Sequence, residues 1–344
     1  MTSSLVARAA IAAALVVVSA ARSEAQIYET FGIRAQGMGG AFVAVADDAT
    51  ATWWNPAGMA SGAYGNGLIE YGVTQDPKVA TDANGALPSW RSSTRSVAVA
   101  FPAGGVSYYR VQIGQIHPVE ATAAGGLVRQ DQGRASVRST SLALQQIGAT
   151  FAQSAGEHLV LGSTVKVVRG GFASAAGVAT EASLDGASAL ATKSELHTDL
   201  DVGAMAKLGP LRLGLAAKNL RHPTFGSGDD AFTLGRQVRA GLAVIGAQRG
   251  AVGPFTVAMD ADLSRTPTAT GDARHLAVGG EAWMFGRSLG LRGGLSRQTI
   301  GEARSVLSGG ASLALRSGVY VDAEGTFGSD TERKGWGFAL RATF

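Results

Sequence analysis

The residues with most scope for chemistry are five histidines and two closely spaced acidic pairs. His117, His158, His197, His222 and His275 are scattered along the 344 residues, and no two stand four apart as paired metal ligands on a helix do. The sequence has no cysteine, which excludes thiolate metal sites and disulfides. Asp199/Asp201 and Asp260/Asp262 are each spaced i, i+2, which on a strand puts two carboxylates on one face about 7 Å apart. Such a pair can do acid–base work or hold a cation. Far more often such residues belong to a hydrated web of opposite charges, with Glu281, Asp322 and Glu324 joining Arg212, Lys218, Arg292, Arg316 and Arg341. Ser264, His275 and Asp262 could approach one another, but nothing around Ser264 marks an activated nucleophile. The Gly37-x-Gly39-Gly40 cluster follows no strand pattern, so it does not read as a phosphate loop. We therefore expect no enzyme, no metal and no cofactor.

The elements carrying these residues read as strands. Hydrophobic residues make up 46% of the sequence and charged ones 16%, with 48 glycines that follow no three-residue period. This excludes both a disordered chain and a collagen. From about residue 64 onward, apolar and polar residues alternate at period two. In 255–264, Phe255, Val257, Met259, Ala261 and Leu263 share one face and Thr256, Asp260, Asp262 and Ser264 the other. Segments 196–208, 211–218, 319–327 and 334–344 alternate in the same way, while 138–152 has polar residues on both faces. Fourteen such segments can be placed, near 66–74, 94–102, 104–113, 138–152, 157–169, 195–208, 210–220, 233–246, 252–264, 273–285, 288–298, 304–316, 317–328 and 334–344. Long connections such as 75–93, 114–137, 170–194 and 221–232 alternate with tight turns such as Pro102-Ala103 and Gly209. An even number of strands, with long loops at one end and short turns at the other, is the pattern of a transmembrane β-barrel. No apolar run beyond the N-terminus approaches the ~20 residues of a membrane helix. The expected fold is all-β: a transmembrane antiparallel barrel of about fourteen strands, apolar face to lipid and polar face to the lumen.

The N-terminus carries an export pattern. Arg8 precedes an apolar run from Ala9 to Ala21 and small residues at Ser23 and Ala25, which predicts a secretory signal over 1–25 cut before Gln26. The net charge of +4 is spread thinly with no Lys/Arg block, which argues against a nucleic-acid partner. Aromatics Trp90, Tyr108 and Tyr109 fit a girdle at the outer membrane interface. The small, apolar stretch 170–191 fits an extracellular loop.

Between the export signal and the first strand runs Ile33-Arg34-Ala35-Gln36-Gly37-Met38-Gly39-Gly40, then Ala46-Asp47-Asp48-Ala49, then Trp53-Trp54-Asn55-Pro56-Ala57-Gly58. The glycines allow close packing, Asp47 or Asp48 could cap a short helix, and the tryptophans offer broad apolar faces. Asn55 can bond its own turn or a barrel wall, and Pro56 fixes the turn. This stretch resembles the N-terminal plug, or hatch, of the FadL/PorV superfamily of outer-membrane barrels. Leu211–Phe225 is similar to a mid-barrel hairpin of the PorV-like branch. The resemblance implies residues 26–63 as a hatch inside a barrel of 64–344, with Gly37, Gly39, Gly40, Asp47, Asp48, Trp53, Trp54, Asn55 and Pro56 as its working residues. It further implies passive uptake of hydrophobic small molecules such as long-chain fatty acids. The alternative from the same superfamily is a PorV-like barrel that binds and delivers or anchors secreted protein partners. Outer-membrane lipid is the expected surround. The C-terminal Trp336, Phe338 and Phe344 resemble the signal read by the outer-membrane assembly machinery.

Overall fold

The computed structural model describes residues 30–76, 80–82, 85–87, 89–118, 136–227, 231–247, 252–268, 271–300, 304–328 and 333–344. The expected export signal over 1–25 lies outside the described residues. Fourteen antiparallel strands close into one barrel. They are β1 (Asn66–Asp76), β2 (Ser89–Phe101), β3 (Gly104–Pro118), β4 (Ser136–Ser154), β5 (Leu159–Val178), β6 (Lys193–Leu208) and β7 (Leu211–Lys218). The second half is β8 (Gln237–Gly246), β9 (Val252–Asp262), β10 (His275–Met284), β11 (Leu289–Gln298), β12 (Ser305–Arg316), β13 (Val319–Gly328) and β14 (Lys334–Thr343). Each strand pairs with its sequence neighbours, and β1 closes the ring on β14 with Asn66 opposite Thr343.

Each of the fourteen expected strands is present, one for one, but several are longer. β2 begins at Ser89, β3 runs to Pro118 and β5 runs to Val178. Residues 170–178 are therefore strand and not loop. These extensions rise beyond the apolar belt, where both faces meet water and the period-two contrast fades. The connections alternate as expected. Turns such as Pro102-Ala103, Gly209-Pro210 and Ser317-Gly318 close one end, helped by positive φ at Gly209 and Gly318. At the other end stand the two-stranded hairpins 80–87, 224–233 and 266–273 and a short helix, Leu184–Ser188. That helix lies against the outer face of β2–β4, where Ser188 bonds Gln112 and Ser141, and Arg91 pairs with Asp185.

The barrel is inverted relative to a water-soluble one. Its outward positions are apolar and exposed, among them Val97, Ile147, Leu161, Val257, Met259, Leu307 and Phe338. The inward positions hold Asp199, Asp201, Asp260, Glu281, Asp322 and Glu324, all buried. Every Asp or Glu on the fourteen strands occupies an inward position. An apolar exterior with every strand edge paired is the arrangement that a bilayer demands. The 138–152 segment falls into register on the same rule, with Leu142, Leu144, Gln146 and Thr150 inward and Ile147 and Phe151 outward.

Placing a charge in that belt tests the inversion. Met259 is 46% exposed in the middle of β9, and Met259→Arg is expected to cost about 2–4 kcal/mol in a denaturant titration in lipid. Ser317→Arg, in an exposed short turn outside that belt, is expected to cost far less than that.

Candidate functional site

The lumen is occupied by the N-terminal segment, residues 30–65. Glycine and alanine give it little regular structure: helix α1 (Ile33–Gly37), helix α2 (Ala51–Trp54) and a 3-10 turn over Pro56–Ser61. An irregular backbone at membrane depth leaves N–H and C=O groups in need of partners. The wall supplies them. Glu70 on β1 accepts the N–H groups of Gly32 and Ile33 at 2.8 and 3.0 Å. Asp260 on β9 accepts those of Phe42 and Val43 at 2.7 and 2.8 Å. From β6, β7 and β8, Lys207, Arg212 and Arg239 donate to the carbonyls of Ala60, Val45 and Gly40.

The fit is close. A Cβ on Gly279 would stand 2.1 Å from the Met38 carbonyl oxygen, and one on Gly203 would stand 2.1 Å from Asn55 Oδ1. Asn55 donates to the carbonyls of Val43 and Ala204 at 2.9 and 3.1 Å and accepts from the Ala57 N–H at 3.1 Å. It thus bonds both its own turn and the barrel wall. Pro56 opens the 3-10 turn as its first residue. The expected cap of α2 by Asp47 or Asp48 is not what forms. Thr50 is the capping residue, and Asp48 accepts the Thr50 N–H at 2.9 Å just before the helix. Asp47 is committed elsewhere, to Arg34.

Two charged nodes organise the wall. In the first, Arg34 of the segment donates through Nε and Nη2 to Glu281 at 2.7 Å each and also meets Asp47 and Asp48. Burial pulls the Arg34 pKa down, but Asp47, Glu281 and Asp48 together hold it above its ordinary value. Arg292 lies beside Glu281 and bonds Asp322, which Arg341 holds at 2.9 Å from the other side. In the second, Lys166 on β5 sits 2.7 Å from Asp201 and 3.3 Å from Asp199. Asp201 also accepts the Asn219 N–H at 2.8 Å and Asp199 that of Arg221 at 3.0 Å, so this node fixes the chain where it leaves β7.

The expected luminal residues are thus inward. Arg212 and Lys218 are half-buried against the segment. Glu324 is buried apart from both webs, with no hydrogen bond among the described residues. Arg316 is exposed beside a short turn and joins neither web. His275 Nδ1 reaches Asp262 at 3.3 Å, but Ser264 Oγ accepts the Val238 N–H at 2.8 Å, so the three do not form a nucleophile–base pair. Trp336, Phe338 and Phe344 all lie on the exposed outer surface. Tyr108 is half-buried on the outer face. Tyr109 is not in an interface girdle. It points inward, bonds Thr52 at 2.7 Å and packs its ring on Phe31 and Trp53.

Tyr109 belongs to an apolar side of the lumen that sequence reasoning missed. Val111, Ile113, Leu142, Leu144 and Val168 on β3–β5 form one buried cluster with Phe31, Trp53 and the inward-folded hairpin residues Phe225 and Phe232. Beside it, a cavity of ≈ 30 Å³ lies between Trp53, Trp54, Lys218, Gln237, Arg239 and Asp262. It sits toward the long-connection end of β7–β9. Lys218 Nζ stands 2.9 Å from the centre of the Trp53 ring, and Arg239 stacks on Trp54 at 5.4 Å.

Residues 11–262 match the protein family described as "F plasmid transfer operon, TraF, protein". The chain belongs to this family. No curated protein matches the sequence. This family member shares its fold with solved outer-membrane channels at low identity. The Pseudomonas putida toluene transporter TodX has a TM-score of 0.59 at 13% identity, over 93% of this chain and 98% of that one. The Ralstonia pickettii toluene transporter TbuX gives 0.60 at 13%, over 91% and 98%. A Pseudomonas aeruginosa FadL homologue gives 0.54 at 11%, over 92% and 98%. With its apolar exterior and even strand count, the closed barrel is an outer-membrane protein of Gram-negative bacteria.

The Arg34 node is testable. Arg34→Met leaves Glu281 and Asp48 short of their cation, and breaking a buried pair this way is expected to cost about 3 kcal/mol. Hydrogen exchange at residues 32–48 should rise with it, while the β3–β5 ladder stays protected.

Proposed function

We propose that this barrel passes an apolar small molecule across the outer membrane by passive movement, with residues 30–63 closing the lumen at rest. The observation that carries the reading is the split lumen: Glu70, Asp260, Glu281, Arg212 and Arg239 engage the segment from one side, while Val111, Ile113, Leu142, Leu144 and Val168 on β3–β5 form an apolar stripe on the other. A water-filled pore has no use for such a surface. The family description names an operon and no chemistry, so the reading rests on this geometry and on the hydrocarbon channels that share the fold. Long-chain fatty acids are the finer form of the proposal. The apolar side suits an alkyl chain, and Lys218, in the cavity it shares with Trp53, Trp54 and the Arg239–Asp262 pair, suits an acidic head. The cavity as it stands is too small for such a chain, so the segment must shift for passage.

Two measurements bear on this. Mass spectrometry of apolar molecules co-purifying with the barrel in mild detergent is expected to find a stoichiometric fatty acid or hydrocarbon, absent when residues 27–60 are deleted. A co-eluting secreted protein and no small molecule would favour the PorV-like alternative and overturn uptake. In proteoliposomes, Lys218→Gln is expected to slow fatty-acid passage several-fold and leave toluene unchanged. Equal effects on both would remove the acidic-head assignment while leaving the apolar route standing.

A further inference from the structure

The outer surface carries charge in one place that the transport reading does not use. Arg95 on β2 is the register partner of Arg110 on β3. Arg110 faces Gln145 on β4, which in turn faces Arg169 on β5. All four positions point outward, because Val97, Ile147 and Val167, two residues toward the short-turn end, are exposed outward apolar residues. Four adjacent strands therefore present Arg-Arg-Gln-Arg as one level row. Neighbouring strands are about 4.8 Å apart, so the three guanidiniums span roughly 15 Å.

Like charges set directly opposite on a sheet destabilise it, and here no carboxylate among the described residues pairs with them. Among the described residues none of the three forms an ion pair. Arg110 donates to Gln112 at 3.3 Å, Arg169 to Ser194 at 2.7 Å, and Arg95 lies 5.5 Å over the Tyr71 ring. Asp185, the nearby carboxylate, is taken by Arg91. Since every carboxylate on the fourteen strands points inward, the strands themselves offer no acidic partner on the outer face. The level of the row fixes what can reach it. Immediately toward the short turns runs a register row of Val97, Tyr108, Ile147 and Val167, which belongs to the hydrocarbon belt. At the level of the arginines, Tyr71 and Phe338 continue round β1 and β14, as aromatics do at a membrane interface. The row thus stands at headgroup height on the long-connection side, the outer leaflet of the outer membrane.

We propose that Arg95, Arg110 and Arg169 form a binding site for the phosphates of an outer-leaflet glycolipid, with Val97, Tyr108, Ile147 and Val167 holding its acyl chains. Planar guanidiniums bind phosphate oxygens in pairs and keep their charge at any physiological pH. Three of them in a row match a headgroup that carries more than one phosphate. The bound lipid would neutralise the row and tie the tall β2–β5 extensions to the membrane surface.

The test uses the full barrel in mild detergent, titrated with bisphosphorylated lipid A and read by native mass spectrometry. The probes beside it are the same lipid dephosphorylated and inorganic phosphate as a competitor. Tight binding of the phosphorylated lipid alone, reduced about tenfold or more in R95Q/R110Q/R169Q, supports the site. Arg316→Gln, at an exposed short turn, should bind as the parent does. Unchanged binding in the triple variant, or equal binding of the dephosphorylated lipid, overturns the proposal. Displacement of the lipid by millimolar inorganic phosphate would make this a free-phosphate site and overturn the lipid assignment. Should the triple variant fail to fold, as judged by loss of heat-modifiable mobility, R95Q and R169Q alone carry the test, each lowering affinity several-fold.

Discussion

Hydrocarbon offers no partner for a backbone N–H or C=O, and most features of this molecule can be traced to that constraint. A sheet in lipid must close, so β1 returns to pair with β14 along the whole of its length. Closure makes the outside the solvent-matched face, and that face must be apolar. The strands still alternate, so their polar residues are turned inward, where they face one another across a confined space. The barrel core is consequently assembled backwards: buried charge inside, exposed valine and leucine outside. A lumen lined in this way cannot collapse on itself, and the N-terminal segment is what fills it.

Filling it raises a second problem of the same kind. The segment is rich in Gly and Ala and makes only short helical turns, so its own backbone leaves many groups unpaired. The wall answers by sign. Carboxylates on β1 and β9 receive the N–H groups of Gly32, Ile33, Phe42 and Val43. Cations on β6, β7 and β8 reach the carbonyls of Ala60, Val45 and Gly40. These five luminal charges are thus a template for one particular backbone path. The two acidic pairs show this most clearly. Asp260 holds the segment, Asp262 holds Arg239 and the His275 N–H, and Asp199 with Asp201 hold the exit of β7.

Strand number and the orientation of most strands could be read from the sequence because lipid and lumen impose opposite polarity at period two. The reading weakened wherever that contrast was absent. Ser89–Ser93 and Gly170–Val178 rise above the bilayer, so no apolar face marks them as strand. Residues 138–152 looked confused because Leu142 and Leu144 are inward and apolar, covered by the segment and the 224–233 hairpin in place of water. Tyr109 was misplaced for the same reason, since adjacent tyrosines beside an apolar inner stripe give no hint of which faces lipid. Arg34 and Lys166 escaped notice as single charges in apolar surroundings. Their partners lie 247 and 35 residues away, at Glu281 and Asp201, and only the closed ring brings them together. Within the N-terminal stretch the contacts are local: Asn55 and Pro56 build one turn, and Asp47 and Asp48 both reach Arg34.

The unequal lumen has a consequence for how the segment is held. On the β9–β14 side, and at Glu70, its strongest ties run to the carboxylates of Asp260, Glu281 and Glu70, and separating any of these strands a buried charge. On the β3–β5 side the contacts are mostly rings and aliphatic chains, with neutral hydroxyl bonds between Thr52 and Tyr109 and from Thr164 to the Thr52 carbonyl. Parting apolar surfaces in favour of an apolar guest exchanges one set of dispersion contacts for another, with little change in hydration. A shift of the segment away from β3–β5 therefore meets the least resistance when the incoming molecule is itself apolar, and the greatest when water must follow. The same arrangement that anchors the segment also makes the chemical nature of the guest decide whether the lumen opens.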